Sequence, residues 1–461
     1  MTFANNFRVE RDTLGLIYVP KDAYYGAQTQ RAVLNFQISG KRLPRSFIRA
    51  QGIIKASAAK VNMDLEMLTP TIGNAIIKAS EEVIDGKWDN QFVVDVYQAG
   101  AGTSQNMNAN EVIANRASEI LGLSNAKNRI HPNDHVNMHQ STNDTFHSAL
   151  HIAAIENINE KLLPALRNLK DELEKKSIEF MPILKSGRTH LHDAVPMRLG
   201  QEFAGYAETI QSTIEQLEQS ADKLYEIGLG GTAIGTKVNT HPDYPTKVLE
   251  EVCHRTKLPF RQPKNIFEFM QNTGAPIRVM TTLKELSIHL IKITSDLRLL
   301  ASGPRTGLAE ITLPSIQPGS TIMPGKVNPA VLEMTHMVCG QVIGYESTVA
   351  TAGQASDLEI NVMMPVIAYT TLESLEIMYN AIFTLTTKCI SGIQGNEEIC
   401  NYWMENSLAL VTALSPIMGY DKASQIGKEA DDKNITIKDV LESEGLRTPE
   451  IEKALEPKGL I

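Results

Sequence analysis

Val279, Leu283, Leu286, Leu290, Ile293, Leu297 and Leu300 are separated alternately by four and three residues. Apolar side chains at that spacing share one stripe of an α-helix, which predicts a long helix packed in a bundle. Phe203, Tyr206, Ile210, Ile214, Leu217, Ala221 and Leu224 carry a second stripe, and Ile155, Ile158, Leu162, Leu166, Leu169 and Leu173 a third. Pro164 lies inside the third, where its missing amide hydrogen predicts a kink. Runs that alternate apolar and polar residues, as a half-buried strand requires, are scarce. Aromatic residues make up 6% of the chain and methionines number 17, a balance that favours helix packing over a β-sandwich. Segments 329–353 and 357–390 are apolar enough to be buried on most sides. Helices this long and apolar need more partners than one chain supplies, so an oligomer is expected.

The 461 residues contain no internal repeat or long charge block and divide into three regions: 1–140 of mixed shorter helices, 141–395 of long helices, and a short-helix tail over 396–461. Lys plus Arg numbers 44 against 53 Asp plus Glu, a formal charge of −9 that excludes a global basic footprint for nucleic acid. The start, MTFANNFRVER, has no apolar core of secretory length. Met334–Ser356 is interrupted by Glu346 and reads as a buried helix pair, not a membrane span. Cys253, Cys339, Cys389 and Cys400 are scattered without metal-ligand spacing, which fits a reducing cytoplasm.

Two glycine patterns mimic nucleotide loops. Gly319 to Lys326 has five residues between its glycines and Val327 where a P-loop has a hydroxyl, while Gly228-Leu-Gly230-Gly-Thr-Ala233 follows a helical segment instead of a strand. Both nucleotide readings are rejected. The pairs His135/His139, His147/His151 and His190/His192 lack a completing carboxylate or thiol, so no metal site is expected. Four segments stand out. Gly100 to Asn108 is a glycine turn entering a helix; Ser141-Thr142-Asn143-Asp144 precedes a long helix. Gly187-Arg188-Thr189-His190 is a short polar loop with Pro196 suited to an early helix position, and Gly319 to Pro329 runs into a helix that Pro329 can start. Each is an ordinary helix cap when taken alone. Together they offer amides, hydroxyls and one lysine, which is what a small carboxylate ligand needs.

GSTIMPGKVNP (Gly319–Pro329) resembles the signature loop of the fumarase/aspartase superfamily, and the resemblance runs from VERDTLG and YYGAQTQR to MGYDKA. It implies an all-α, three-domain chain whose central five-helix bundles assemble into a homotetramer with a twenty-helix core, each active site being built from three subunits. It also implies anti β-elimination from a small dicarboxylate, without a cofactor. Tyr97-Gln-Ala-Gly-Ala-Gly-Thr-Ser-Gln-Asn106, Ser141-Thr-Asn-Asp144 and His192-Asp-Ala-Val-Pro-Met197 resemble the aspartase branch, which releases ammonia from L-aspartate to give fumarate. Gly230-Gly-Thr-Ala-Ile-Gly-Thr236 and Asn239-Thr-His-Pro-Asp243 look more like the class II fumarase branch, which interconverts malate and fumarate.

By the same resemblance Ser320 is the base. Thr103, Ser141, Thr142, Asn143, Thr189, Thr321, Lys326 and Asn328 match positions around the substrate, and His190 and Glu333 match a paired histidine and acid. His131, Asn133 and Asp134 resemble a second, non-catalytic dicarboxylate site. Thr321 in place of a second serine, and Lys237 where relatives have glycine, are departures nearest the expected pocket. A helical scaffold without turnover is the competing reading, and the intact Ser320, Lys326, Asn328, His190 and Glu333 speak against it.

Overall fold

The computed structural model describes residues 6–123 and 129–456. The first stripe lies in the 27-residue helix Gly274–Leu300, and each of its seven side chains is at most 5% exposed. The second lies in helix Leu199–Ala221 and the 3₁₀ turn Asp222–Tyr225; its members are likewise buried. The third is interrupted as expected. Helix Thr142–Asn157 passes through a π-helical turn, Ile158–Leu162, into helix Leu163–Phe180. Pro164 cannot donate to the carbonyl of residue 160, and the widened turn accommodates that loss.

The expected long segments are helices Ala330–Gly353 and Met364–Lys388. Two corrections follow. Met334–Ser356 is not a helix pair: one continuous helix runs to Gly353, and Met337 on it is exposed. Nor is residue 357 helical. Ser356–Asp357 and Ile360–Asn361 form a small hairpin with Leu358 in the left-handed region. Asn361 ends that hairpin by donating to the Ala352 carbonyl and accepting from the Met363 amide, so the next helix starts at Met364.

The segment read as a polar loop at Gly187–His190 is also different. Leu184–Thr189 pairs antiparallel with His192–Arg198, and Pro196 sits in the second strand opposite Ser186 instead of opening a helix. A proline is tolerated there because a two-stranded ribbon leaves one edge unpaired. Short as they are, these ribbons leave the protein all-α in class.

Residue contacts divide the chain into two compact units. One contains Met1–Leu163, Glu215–Glu285 and Gln341–Tyr379; the other contains Pro164–Ile214, Leu286–Gly340 and Asn380–Ile461. In the first, a core built on Ile76, Phe92, Val112 and Ile113 packs the helices Pro70–Ile84 and Thr103–Ile120. In the second, Leu414, Ile426, Val440 and Leu441 centre a core of the short C-terminal helices. Among the described residues no helix is long and apolar enough to cross a membrane, and the four cysteines are free thiols.

Candidate active site

In the first unit, two helix starts share one polar network. The chain enters helix Thr103–Ile120 through Gly102, whose φ is +89°. A Cβ on Gly102 would overlap the ring of Phe146, and one on Gly100 would overlap the Val362 carbonyl, so both positions require glycine. Thr103 is exposed on the first turn, and Asn106 is buried one turn further on. Nδ2 of Asn106 donates to Oγ1 of Thr142 at 3.1 Å.

Ser141 and Asp144 form a capping box on helix Thr142–Asn157. The Asn143 amide donates to Ser141 Oγ at 3.2 Å, and the Ser141 amide donates to Asp144 Oδ1 at 3.0 Å. The second oxygen of Asp144 accepts from the amides of Gly230 at 3.0 Å and Thr232 at 2.8 Å. The glycine pattern that mimicked a nucleotide loop therefore cradles an internal carboxylate. Asn143 is tied to the same loop through Nδ2, which donates to the Ala233 carbonyl at 2.7 Å.

Lys55 is the residue that sequence reasoning missed. Its fully buried Nζ donates to Oδ1 of Asn106 and Oδ1 of Asn137, each at 2.9 Å, and to Oε1 of Gln140 at 3.0 Å. Burial pulls Lys55 down to about 7 against the attraction of Asp144. Asp144 is pushed up to about 7, again by burial, against the amides of Ser141, Thr232 and Gly230 and the charge of Lys55. A lysine on an apolar helix gives no signal in sequence, because its partners lie about fifty and eighty residues away.

In the second unit, the signature loop closes on itself. The Gly319 amide donates to the Lys326 carbonyl at 2.8 Å, and Asn328 Nδ2 donates to the Gly319 carbonyl at 2.6 Å. A Cβ on Gly319 would lie 2.6 Å from the Asn328 nitrogen, so the closure needs glycine. Inside the loop, Ser320 Oγ accepts from the amides of Ile322 at 3.3 Å and Met323 at 3.0 Å. Thr321 and Lys326 are exposed, Asn328 is half-buried, and Glu333 is exposed on the first turn of helix Ala330–Gly353.

Thr189 ends a strand, and His190 with Leu191 makes the two-residue turn, with φ values of 55° and 61°. This left-handed pair matches the twist of a tight hairpin, and it exposes both Thr189 and His190. Among the described residues no hydrogen bond or ion pair joins His190 to Glu333.

His131, Asn133 and Asp134 lie together on a surface π turn, where His131 Nδ1 accepts from the amides of Asn133 at 3.2 Å and Asp134 at 3.0 Å. Of the histidine pairs, His147 and His151 are buried. His151 Nδ1 sits 2.7 Å from the Glu226 carbonyl, whereas among the described residues neither ring nitrogen of His147 has a hydrogen-bond partner. Burial pulls His147 down to about 3 and His151 to about 4, so both are neutral at pH 7.

Each unit thus carries polar helix starts and turns with free hydroxyls or amides, and the second adds the exposed Lys326. A sequence model described as "Lyase" matches residues 15–344, and one described as "Fumarase C C-terminus" matches residues 410–461. The chain is 45% identical to fumarate hydratase 1, mitochondrial, of Arabidopsis thaliana, over 97% of this chain and 92% of that one. It is also 45% identical to an aspartate ammonia-lyase of a Bacillus species, over 96% and 95% of the two chains. The crystal structure of class II fumarase from Schistosoma mansoni superposes with a TM-score of 0.94 at 34% identity, covering 98% of each chain. The protein belongs to the fumarase/aspartase superfamily.

Proposed function

We propose that the protein is an aspartate ammonia-lyase, eliminating ammonia from L-aspartate to give fumarate. The observation that carries an elimination is the environment of Ser320. Two backbone amides converge on its Oγ, and such donors favour the alkoxide over the hydroxyl. The alkoxide removes a Cβ proton. Lys326 and Asn328 hold the neighbouring carboxylate as it gains negative charge in an aci-carboxylate. Thr103, Ser141, Thr142, Asn143 and Thr189 bind the two carboxylates and the leaving amine, helix N-termini being favourable places for anions. The amine departs already protonated, so the elimination needs no separate acid. His190 and Glu333 then serve in orientation, with Thr321 shaping the pocket beside Ser320.

The finer choice rests on the segments Tyr97–Asn106 and Ser141–Asp144, which follow the aspartase pattern. Fumarate hydration is the second reading. Gly230–Thr236 follows the fumarase pattern, and curated relatives of both activities are equally similar. In that reading His190 supplies the proton that lets hydroxide leave as water.

The exposed apolar side chains of Ile288 and Met337 on long helices support a homotetramer with each site shared between three subunits, and the free cysteines support a reducing cytoplasm as its location. Light scattering should then give four times 50.8 kDa. The deciding experiment offers purified protein L-aspartate and then L-malate and follows fumarate in the ultraviolet. Fumarate from malate alone would replace the aspartase reading with the hydratase, and none from either would refute both.

A further inference from the structure

Beneath the Thr189–His190 turn lies a chain of four charged side chains. Arg188 Nη2 donates to Glu310 Oε1 at 2.8 Å. The other oxygen of Glu310 lies 2.9 Å from Lys185 Nζ, which also donates to Glu202 Oε1 at 2.8 Å. Two cations and two anions make the cluster neutral. Lys185 and Glu310 are 1% and 0% exposed, and a charge buried to that degree is stable only while its partners stay in place.

Glu310 is itself immobilised from both sides. Its amide donates to the Leu300 carbonyl at the end of helix Gly274–Leu300, and its carbonyl accepts from the Asn396 amide that caps helix Glu397–Asn406. The anchor is thus tied to two helices. The turn, by contrast, is flanked only by the ladder pairs Thr189–His192 and Arg188–Asp193. Leu191 is 73% exposed and borders a cavity of about 560 Å³. His190 and Leu191 both occupy the left-handed region, which is unfavourable for side chains other than glycine and asparagine. The pairing register also slips between Ser186 and Arg188, so the ladder alone does not determine how the turn is presented.

We infer that Arg188 is a positioning residue: bonded to the immobile Glu310, it holds the Thr189–His190 turn in the one conformation that presents both side chains to the substrate. This rests on the proposed reading of Thr189 and His190 as substrate-facing. A charge cluster that only stabilised the fold would lower the unfolding temperature and leave the folded enzyme's KM unchanged.

The test uses Arg188→Met, Arg188→Lys and Thr189→Ala in the full-length protein, with whichever of L-aspartate or L-malate the wild type converts. Arg188→Met should raise KM about tenfold, as misplacement of a binding group by a fraction of an ångström does, with a smaller fall in kcat. Deuterium uptake should quicken over residues 187–192 and stay unchanged in helix Gly274–Leu300. Arg188→Lys, which keeps a cation against Glu310, should recover part of the lost KM. Wild-type KM in folded Arg188→Met overturns the inference. If that variant does not fold, Arg188→Lys decides: a raised KM with faster exchange at the turn supports positioning, and wild-type values refute it. Thr189→Ala separates the two levels. Wild-type kinetics there remove the substrate-facing reading of the turn and the inference with it, whereas damage in Thr189→Ala beside an undamaged Arg188→Met refutes positioning alone.

Discussion

Replacing Gly102 by alanine tests how the glycine turn sets the start of helix Thr103–Ile120. Two separable costs are expected. The first is conformational: φ at Gly102 is +89°, a region that costs a residue with a Cβ about 1–2 kcal/mol. The second is steric, because the added Cβ overlaps the ring of Phe146. That ring cannot move aside easily, being fully buried and packed on Phe47 with centroids 4.6 Å apart. Overpacking at such a site costs about 1–3 kcal/mol. The sum is about 2–5 kcal/mol, read as a lower urea midpoint at unchanged slope. A double-mutant cycle divides it. In a Phe146→Ala background, which itself costs about 3–5 kcal/mol, the three overlapping ring atoms are gone and Gly102→Ala should cost only the conformational 1–2 kcal/mol or so. A cost below about 0.5 kcal/mol, or the same cost in both backgrounds, would refute the reasoning.

Ser320→Ala should lower kcat by about 10³-fold or more while circular dichroism and oligomeric mass stay at wild-type values; retained turnover would exclude Ser320 as the base. Lys55→Met leaves Asp144 without its buried counter-charge and removes the ammonium donor from the amide oxygens of Asn106, Asn137 and Gln140, so it should cost about 3–5 kcal/mol; urea unfolding within 1 kcal/mol or so of wild type would contradict the burial argument. His147 and His151 have folded-state values pulled below the free value of 6.5, to about 3 and about 4. The unfolded chain therefore binds more protons between pH 6.5 and those values, and stability is lost as pH falls through that window. His147→Leu removes one of these groups and two unpartnered nitrogens, so its acid-unfolding midpoint should move to lower pH; an unmoved midpoint would count against a neutral buried imidazole.

Much of the scaffold was legible because helix burial is periodic and local. The three apolar stripes needed only residues three and four apart, and every member is buried. The glycine turn at Gly100–Gly102, the cap at Ser141 and the helix after Pro329 were equally readable, since capping is settled within one turn of chain. Local signals failed where a tertiary partner took over. Thr189 and His190 looked like a loop because no glycine or asparagine marks the turn, yet they close a two-stranded ribbon with His190 and Leu191 in the left-handed region. The start of the helix at Met364 likewise depends on Asn361 reaching the Ala352 carbonyl.

The sequence by itself determined the all-α class, the long buried helices and the superfamily loop from Gly319 to Pro329, all of which are written in short-range spacing. Only the tertiary structure decided the polar interior. It joins Asp144 to the amides of Gly230 and Thr232, Lys55 to three side-chain amides, and Arg188 to Glu310. A buried polar group must find its partners wherever the fold brings them, and no pattern along the chain records partners that lie fifty to more than a hundred residues away.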